Sequence, residues 1–101
     1  MGAWLYWYSN GKPETQGSFI HGVKNGVWTS YNIAGERRSE GEFVEGRENG
    51  RWTFWSDNLT RTEGSYILGE EDGVWLDYDP EGVPQRERIY RNGRLVSQRE
   101  L

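Results

Sequence analysis

Cysteine is absent from this chain of 101 residues, and methionine, histidine and proline are scarce, with one, one and three copies. Without cysteine there is no disulfide framework, thiolate zinc site or cysteine nucleophile. The lone histidine, His21, stands in a column that elsewhere holds Glu45 and Leu68; it reads as a surface residue with no second imidazole to share a metal. No run of about 18 apolar residues is present, so no helix is expected to span a bilayer. The opening Met-Gly-Ala-Trp-Leu-Tyr-Trp-Tyr has neither the basic nor the aliphatic region of a secretory signal, and a cytoplasmic location is expected. Aliphatic side chains are also sparse. Leu, Ile, Val and Phe total 19 residues, just under the ~20% level associated with disorder.

Three excesses oppose that warning. Six Trp and six Tyr are far more than a disordered chain carries, and 14 glycines are twice the usual share. The net charge of -4 disfavours duplex nucleic acid, which rewards a basic stripe, and anionic lipid, so neither is expected as a partner. The charge is uneven: from Pro84 onward five Arg face two Glu, which reads as a solvated strand and tail.

The excess residues are periodic. Gly-x-Trp occurs at Gly2/Trp4, Gly26/Trp28, Gly50/Trp52 and Gly73/Trp75, spaced 24, 24 and 23. A second aromatic follows each Trp by three residues: Trp7, Tyr31, Trp55 and Tyr78. Then come glycines 11, 35 and 82, with Asn58-Leu59 in the third unit, and next Gly17/Phe19, Gly41/Phe43, Gly64/Tyr66 and Arg88/Tyr90. Glycines 22, 46, 69 and 93 close the units. All 14 glycines fall in these four columns. The third unit is one residue short between Trp55 and Gly64, and Asn58 is expected to supply the left-handed conformation of its missing turn glycine.

A repeat of this kind predicts one supersecondary unit per period. Each unit reads as a β-hairpin, because both of its segments are short, aromatic or β-branched, and bounded by Gly and Asn. The expected fold is all-β: a single-layer antiparallel meander of about eight strands, built from four hairpins. The chain is one domain, 1–101, with units 2–25, 26–49, 50–72 and 73–93 and a C-terminal cap at 94–101. Alternation places Trp4, Trp28, Trp52 and Trp75 on one face with Phe19, Phe43, Tyr66 and Tyr90. The opposite face carries Trp7, Tyr31, Trp55 and Tyr78 with Ile20, Val44, Ile67 and Ile89. A loop centred on Val23-Lys24 would set Phe19 across from Trp28 and Ile20 across from Val27. A turn centred on Ala34-Gly35 would set Trp28 across from Gly41, its indole over bare backbone.

At these residues the sequence resembles the MORN-repeat family, and more closely its bacterial variant, Gly-x-Trp-x-x-Tyr-x-x-x-Gly followed by Gly-x-[Tyr/Phe]-x-x-Gly, found in YwqK-type antitoxin proteins. The departures are Leu59 for the turn glycine and Arg88 for the strand glycine. The resemblance implies a curved single-layer sheet serving as an interaction platform, with toxin neutralisation, scaffolding or tethering among its roles.

The chemistry of the chain points to binding. Glu40 and Glu42 share one strand face and Glu70-Glu71-Asp72 reads as a loop, but a one-layer sheet encloses no such carboxylates. No catalytic residue, metal site or cofactor is expected. The candidate partner-binding residues are Trp7, Tyr31, Trp55 and Tyr78, because a contiguous outward aromatic patch marks an interaction site. The expected partner is a protein, such as a basic toxin steered by the acidic body. The uncharged segment Ala3, Trp4, Leu5, Tyr6, Trp7 and Tyr8 is a candidate for edge pairing, including homo-oligomers. Aromatic repeats also fit cell-wall glycan or choline as an alternative ligand.

Overall fold

A computed structural model describes residues 2–56 and 58–101, with side chains from Leu5 onward. It contains nine strands: β1 Gly2–Trp7, β2 Pro13–Ile20, β3 Val23–Tyr31, β4 Arg37–Val44, β5 Arg47–Trp55, β6 Arg61–Ile67, β7 Glu70–Tyr78, β8 Pro84–Arg91 and β9 Arg94–Glu100. Every strand pairs antiparallel with its sequence neighbour, so the sheet order is the chain order. Its extents are 40 × 30 × 14 Å. Nine strands at about 4.8 Å apart account for the long dimension, and 14 Å leaves no space for a second sheet. The meander is one layer. Its ninth strand is the segment 94–101 expected as a cap, and no helix occurs among the described residues.

The hairpin turns lie one pair earlier than a Val23-Lys24 loop would put them. Ile20 pairs with Val23 and Phe19 with Lys24, leaving His21-Gly22 as a two-residue turn with φ of 52° and 80°. Positive φ at both central residues is the type I′ pattern, whose twist matches that of paired strands. Glu45-Gly46, Leu68-Gly69 and Asn92-Gly93 repeat it. The consequence is longer strands than the repeat pattern implies. The unit boundaries at 25/26, 49/50 and 72/73 fall inside β3, β5 and β7, and Glu70-Glu71-Asp72 opens a strand instead of forming a loop.

Strand length is reconciled with register by bulges. On β3, Gln16 pairs with Thr29 while Ser18 pairs with Asn25, so three residues of β3 face Gly17 alone. The same irregularity follows Gly41 and Glu63 on the next repeats. It pushes each Trp toward the glycine of the preceding strand. A Cβ added to Gly17 would lie 2.1 Å from the Trp28 indole, and Gly41 and Gly64 stand likewise beneath Trp52 and Trp75. Trp28 does pair with Gly41 in register, as the Ala34-Gly35 turn implies, but the indole lying on Gly41 belongs to Trp52. Each indole Nε1–H also donates to a strand carbonyl: Trp28 to Ser18, Trp52 to Glu42 and Trp75 to Ser65.

Trp28, Trp52 and Trp75 are the buried apolar side chains of the described residues, 3–5% exposed. Between them stand Phe19, Phe43, Tyr66 and Tyr90, forming a zipper of edge-to-face contacts. Its centroid distances alternate between 5.1 Å across a repeat boundary (Phe19–Trp28, Phe43–Trp52, Tyr66–Trp75) and 6.1–6.3 Å within a repeat (Trp28–Phe43, Trp52–Tyr66, Trp75–Tyr90). Edge-to-face rings contribute about 0.5–1.5 kcal/mol per pair beyond burial, which is how a chain poor in aliphatics holds a sheet together. At β8 the glycine slot holds Arg88, and β9 places Gln98 opposite it. The Trp4 column position lies in β1, but the side chains of Ala3 and Trp4 are outside the described set.

Candidate functional site

The face opposite the zipper is built from the strand ends that enter the long turns 8–12, 32–36, 56–60 and 79–83. In each turn the first residue donates its backbone N–H to the carbonyl of the last, and the fourth donates back to the first. Asn32 and Asp79 clamp their turns by accepting two backbone N–H groups each at Oδ1. In the third turn the left-handed position is Leu59, with φ of 68°, and not Asn58. Asn58 instead accepts at Oδ1 from the Ser56 and Thr60 hydroxyls, holding the turn from within.

The residue missing from the third unit also has an address. Trp7 pairs with Pro13, Tyr31 with Arg37 and Tyr78 with Pro84, each next to a bulge that skips residue 14, 38 or 85. Trp55 pairs with Arg61 without any bulge. The deficit removes the bulge residue and leaves the turn at full length.

These pairings assemble one transverse row. From β1 to β8 it reads Trp7, Pro13, Tyr31, Arg37, Trp55, Arg61, Tyr78, Pro84. The Arg37 guanidinium stacks over the Trp55 ring at 4.7 Å, and that of Arg61 over Tyr78 at 4.0 Å. Each cation is also held by a carboxylate: Arg37 Nη1 lies 3.3 Å from Glu40 and Arg61 Nε 2.7 Å from Glu63. The Tyr31 hydroxyl accepts from Gln16 Nε2, and Tyr8 donates its hydroxyl to the Tyr31 carbonyl, tying the first two repeats. Exposed cation–π contacts contribute about 0.5–1 kcal/mol each, enough to order long side chains into a fixed surface. Trp7 is 57% exposed, and Tyr31, Trp55 and Tyr78 are half-buried.

The four expected aromatics thus lie on one row, but the residues between them were not singled out by sequence. Positions 13, 37, 61 and 84 have the same 24, 24, 23 spacing as the Trp column, so the period contained them; their mixed Pro and Arg identities hid the column. Phe54 was also missed. It stacks between Trp52 and Trp75 at 5.8 and 6.2 Å, in a column that holds Ser30 and Asp77 elsewhere.

A second polar row runs beside the first, from Leu5 through Gln16, Thr29, Glu40, Thr53, Glu63, Leu76 and Glu87 to Arg99, one residue per strand. Thr29 is buried and donates its hydroxyl to Glu40 Oε2 at 3.0 Å. An open cleft of about 190 Å³ lies between the second and third turns, lined by Arg37, Trp55 and Leu59 among others. His21 sits exposed in its turn at the other end of the sheet, away from the row. Of the edge segment, Leu5, Tyr6 and Trp7 are exposed in the outermost strand β1, while Tyr8 begins the first turn. No helix of the described residues is long and apolar enough to cross a membrane.

Comparison with curated proteins finds no match. The family model of the MORN repeat variant matches residues 2–21, which span β1 and β2, and residues 71–98, which run from β7 into β9. The two matched stretches, on opposite sides of one continuous sheet, are each similar to the MORN repeat variant.

Proposed function

We propose that this chain is a non-enzymatic repeat scaffold that binds a partner protein across the face bearing Trp7, Tyr31, Trp55 and Tyr78. The observation that carries the reading is the alternating aromatic and guanidinium row. Aromatic residues and arginine are the side chains enriched at protein interfaces, and here they are ordered in advance by stacking and ion pairs. Preorganisation lowers the entropy lost on binding. A role as an antitoxin or immunity component follows from the resemblance to antitoxin proteins, and the net charge of -4 favours a basic toxin as partner. The choline alternative is less favoured by the same geometry, because the guanidinium groups of Arg37 and Arg61 set positive charge beside Trp55 and Tyr78, which repels an ammonium ligand.

The test is a double variant, Trp55→Ala with Tyr78→Ala. The expected result is a folded chain, by unchanged far-ultraviolet circular dichroism, that no longer captures its partner from the native cell. Retained capture would refute the reading. A second reading, self-association through β1, is supported by the exposed Leu5, Tyr6 and Trp7 on that outermost strand. A sedimentation coefficient independent of concentration removes it.

A further inference from the structure

The outward row has a period that a ligand must share. Neighbouring strands lie about 4.8 Å apart, so aromatics on every second strand, β1, β3, β5 and β7, follow one another at about 9.6 Å. An extended chain laid along the row presents one face every ~6.7 Å and is out of step after a single interval. An α-helix returns after two turns at ~10.8 Å, an excess that reaches nearly 4 Å over three intervals. A polyproline II helix returns every three residues at ~9.3 Å, and its shortfall over the same distance is about 1 Å. Among these three conformations, polyproline II alone stays in step with all four aromatics.

The polar groups agree with the spacing. A polyproline II chain has no internal hydrogen bonds, so its carbonyls must find donors outside. Arg37 and Arg61 stand between the aromatics and spend one nitrogen each on Glu40 and Glu63. A guanidinium has five N–H donors, which leaves several for ligand carbonyls. Pro13 and Pro84 add apolar rings beside Trp7 and Tyr78.

We infer that this row is a docking groove for a proline-rich segment in the polyproline II conformation, running across the strands from β1 to β7. Six strand spacings are about 29 Å, the length of a segment of about ten residues. The inference rests on the protein-binding reading above and narrows its ligand.

The probe is decaproline, titrated into the whole chain while the indole N–H resonances are followed by NMR. Saturable shifts are expected at Trp7 and Trp55, with Trp28, Trp52 and Trp75 unmoved. Trp55→Ala is expected to weaken the binding about tenfold or more. Trp7→Ala, at a more exposed position, is expected to weaken it without any risk to folding. A strand-forming peptide of alternating Val and Thr should leave the indole resonances unshifted. Silence at millimolar decaproline, shifts that survive both variants, or equal binding of the Val-Thr peptide would each overturn the inference. If decaproline is silent while the Trp55→Ala, Tyr78→Ala variant still loses its native partner, the protein-binding face stands and the polyproline ligand falls.

Discussion

The indole of Trp52 lies on the backbone of Gly41 so closely that a Cβ there would stand 2.0 Å from its Cδ2 atom. Glycine at this column is therefore a packing requirement of the neighbouring repeat. Its backbone φ is not in the left-handed region, so the cost of replacing it is steric and lies in the contact between strands.

Gly41→Ala should accordingly destabilise the chain by about 3 kcal/mol or more, since the indole must leave its slot and lose its bond to the Glu42 carbonyl. Gly46→Ala is the contrasting case. Its Cβ would meet only Val23 at 3.5 Å, and the penalty comes from φ of 82°, about 1 kcal/mol. Urea unfolding of the two variants should rank them in that order.

Trp75→Ala removes a side chain 4% exposed that touches both Tyr66 and Tyr90. A loss of about 3–5 kcal/mol is expected, and in a sheet stabilised between neighbours it should open β7 to β9 first. Amide exchange resolved by strand checks this: protection should fall there more than in β2 to β4.

Leu68→Asn should stabilise the chain by about 0.5–1 kcal/mol. Leu68 is exposed with φ of 47° at the first position of a type I′ turn, where Asn is favoured and Asn92 already serves. The thermal midpoint should rise without any change in secondary structure. A fall would mean that the Leu68 side chain holds contacts that matter more than the backbone strain.

Burial pushes the Tyr66 hydroxyl up to about 12, and Glu71 and Glu48 push in the same direction. Below pH 10 this phenol is protonated in the folded and unfolded states alike, so its stabilising contribution is complete. As pH rises from 10 toward 12 the unfolded chain ionises first, and the contribution is progressively lost. Tyr66→Phe should flatten the dependence of the urea midpoint across that window. An identical slope in the variant would assign the alkaline transition to other groups.

The period made the architecture legible before any coordinates. Trp28, Trp52 and Trp75, with Phe19, Phe43, Tyr66 and Tyr90, recur at fixed spacing, and alternation alone puts them on one face. What spacing could not convey was register. The His21-Gly22 turn was hidden because its first position holds His21, Glu45, Leu68 and Asn92 in turn, which share no turn signal, and Gly26, Gly50 and Gly73 looked like strand starts when they lie in bulges. Leu59 was unreadable for the same reason, since nothing about leucine announces a left-handed backbone. At the candidate site the aromatics were visible through their chemistry. Arg37 and Arg61 were not, because their role depends on the neighbouring strand and appears only once the strands are paired.

Arg88 sets a limit on counting. Three glycines accept an indole from the following strand, and the fourth position of that column is filled by a guanidinium bonded to Asp77 and to the Tyr90 hydroxyl. No tryptophan can seat there, whether it comes from β9, where Gln98 faces Arg88, or from any other Gly-x-Trp strand laid against β8. The stack can therefore be extended in only one direction, toward β1, so an otherwise repetitive sheet has a defined polarity. Three substitutions, Arg88→Gly, Val96→Gly and Gln98→Trp, would set a Gly-x-Trp strand against a glycine and let it count one further.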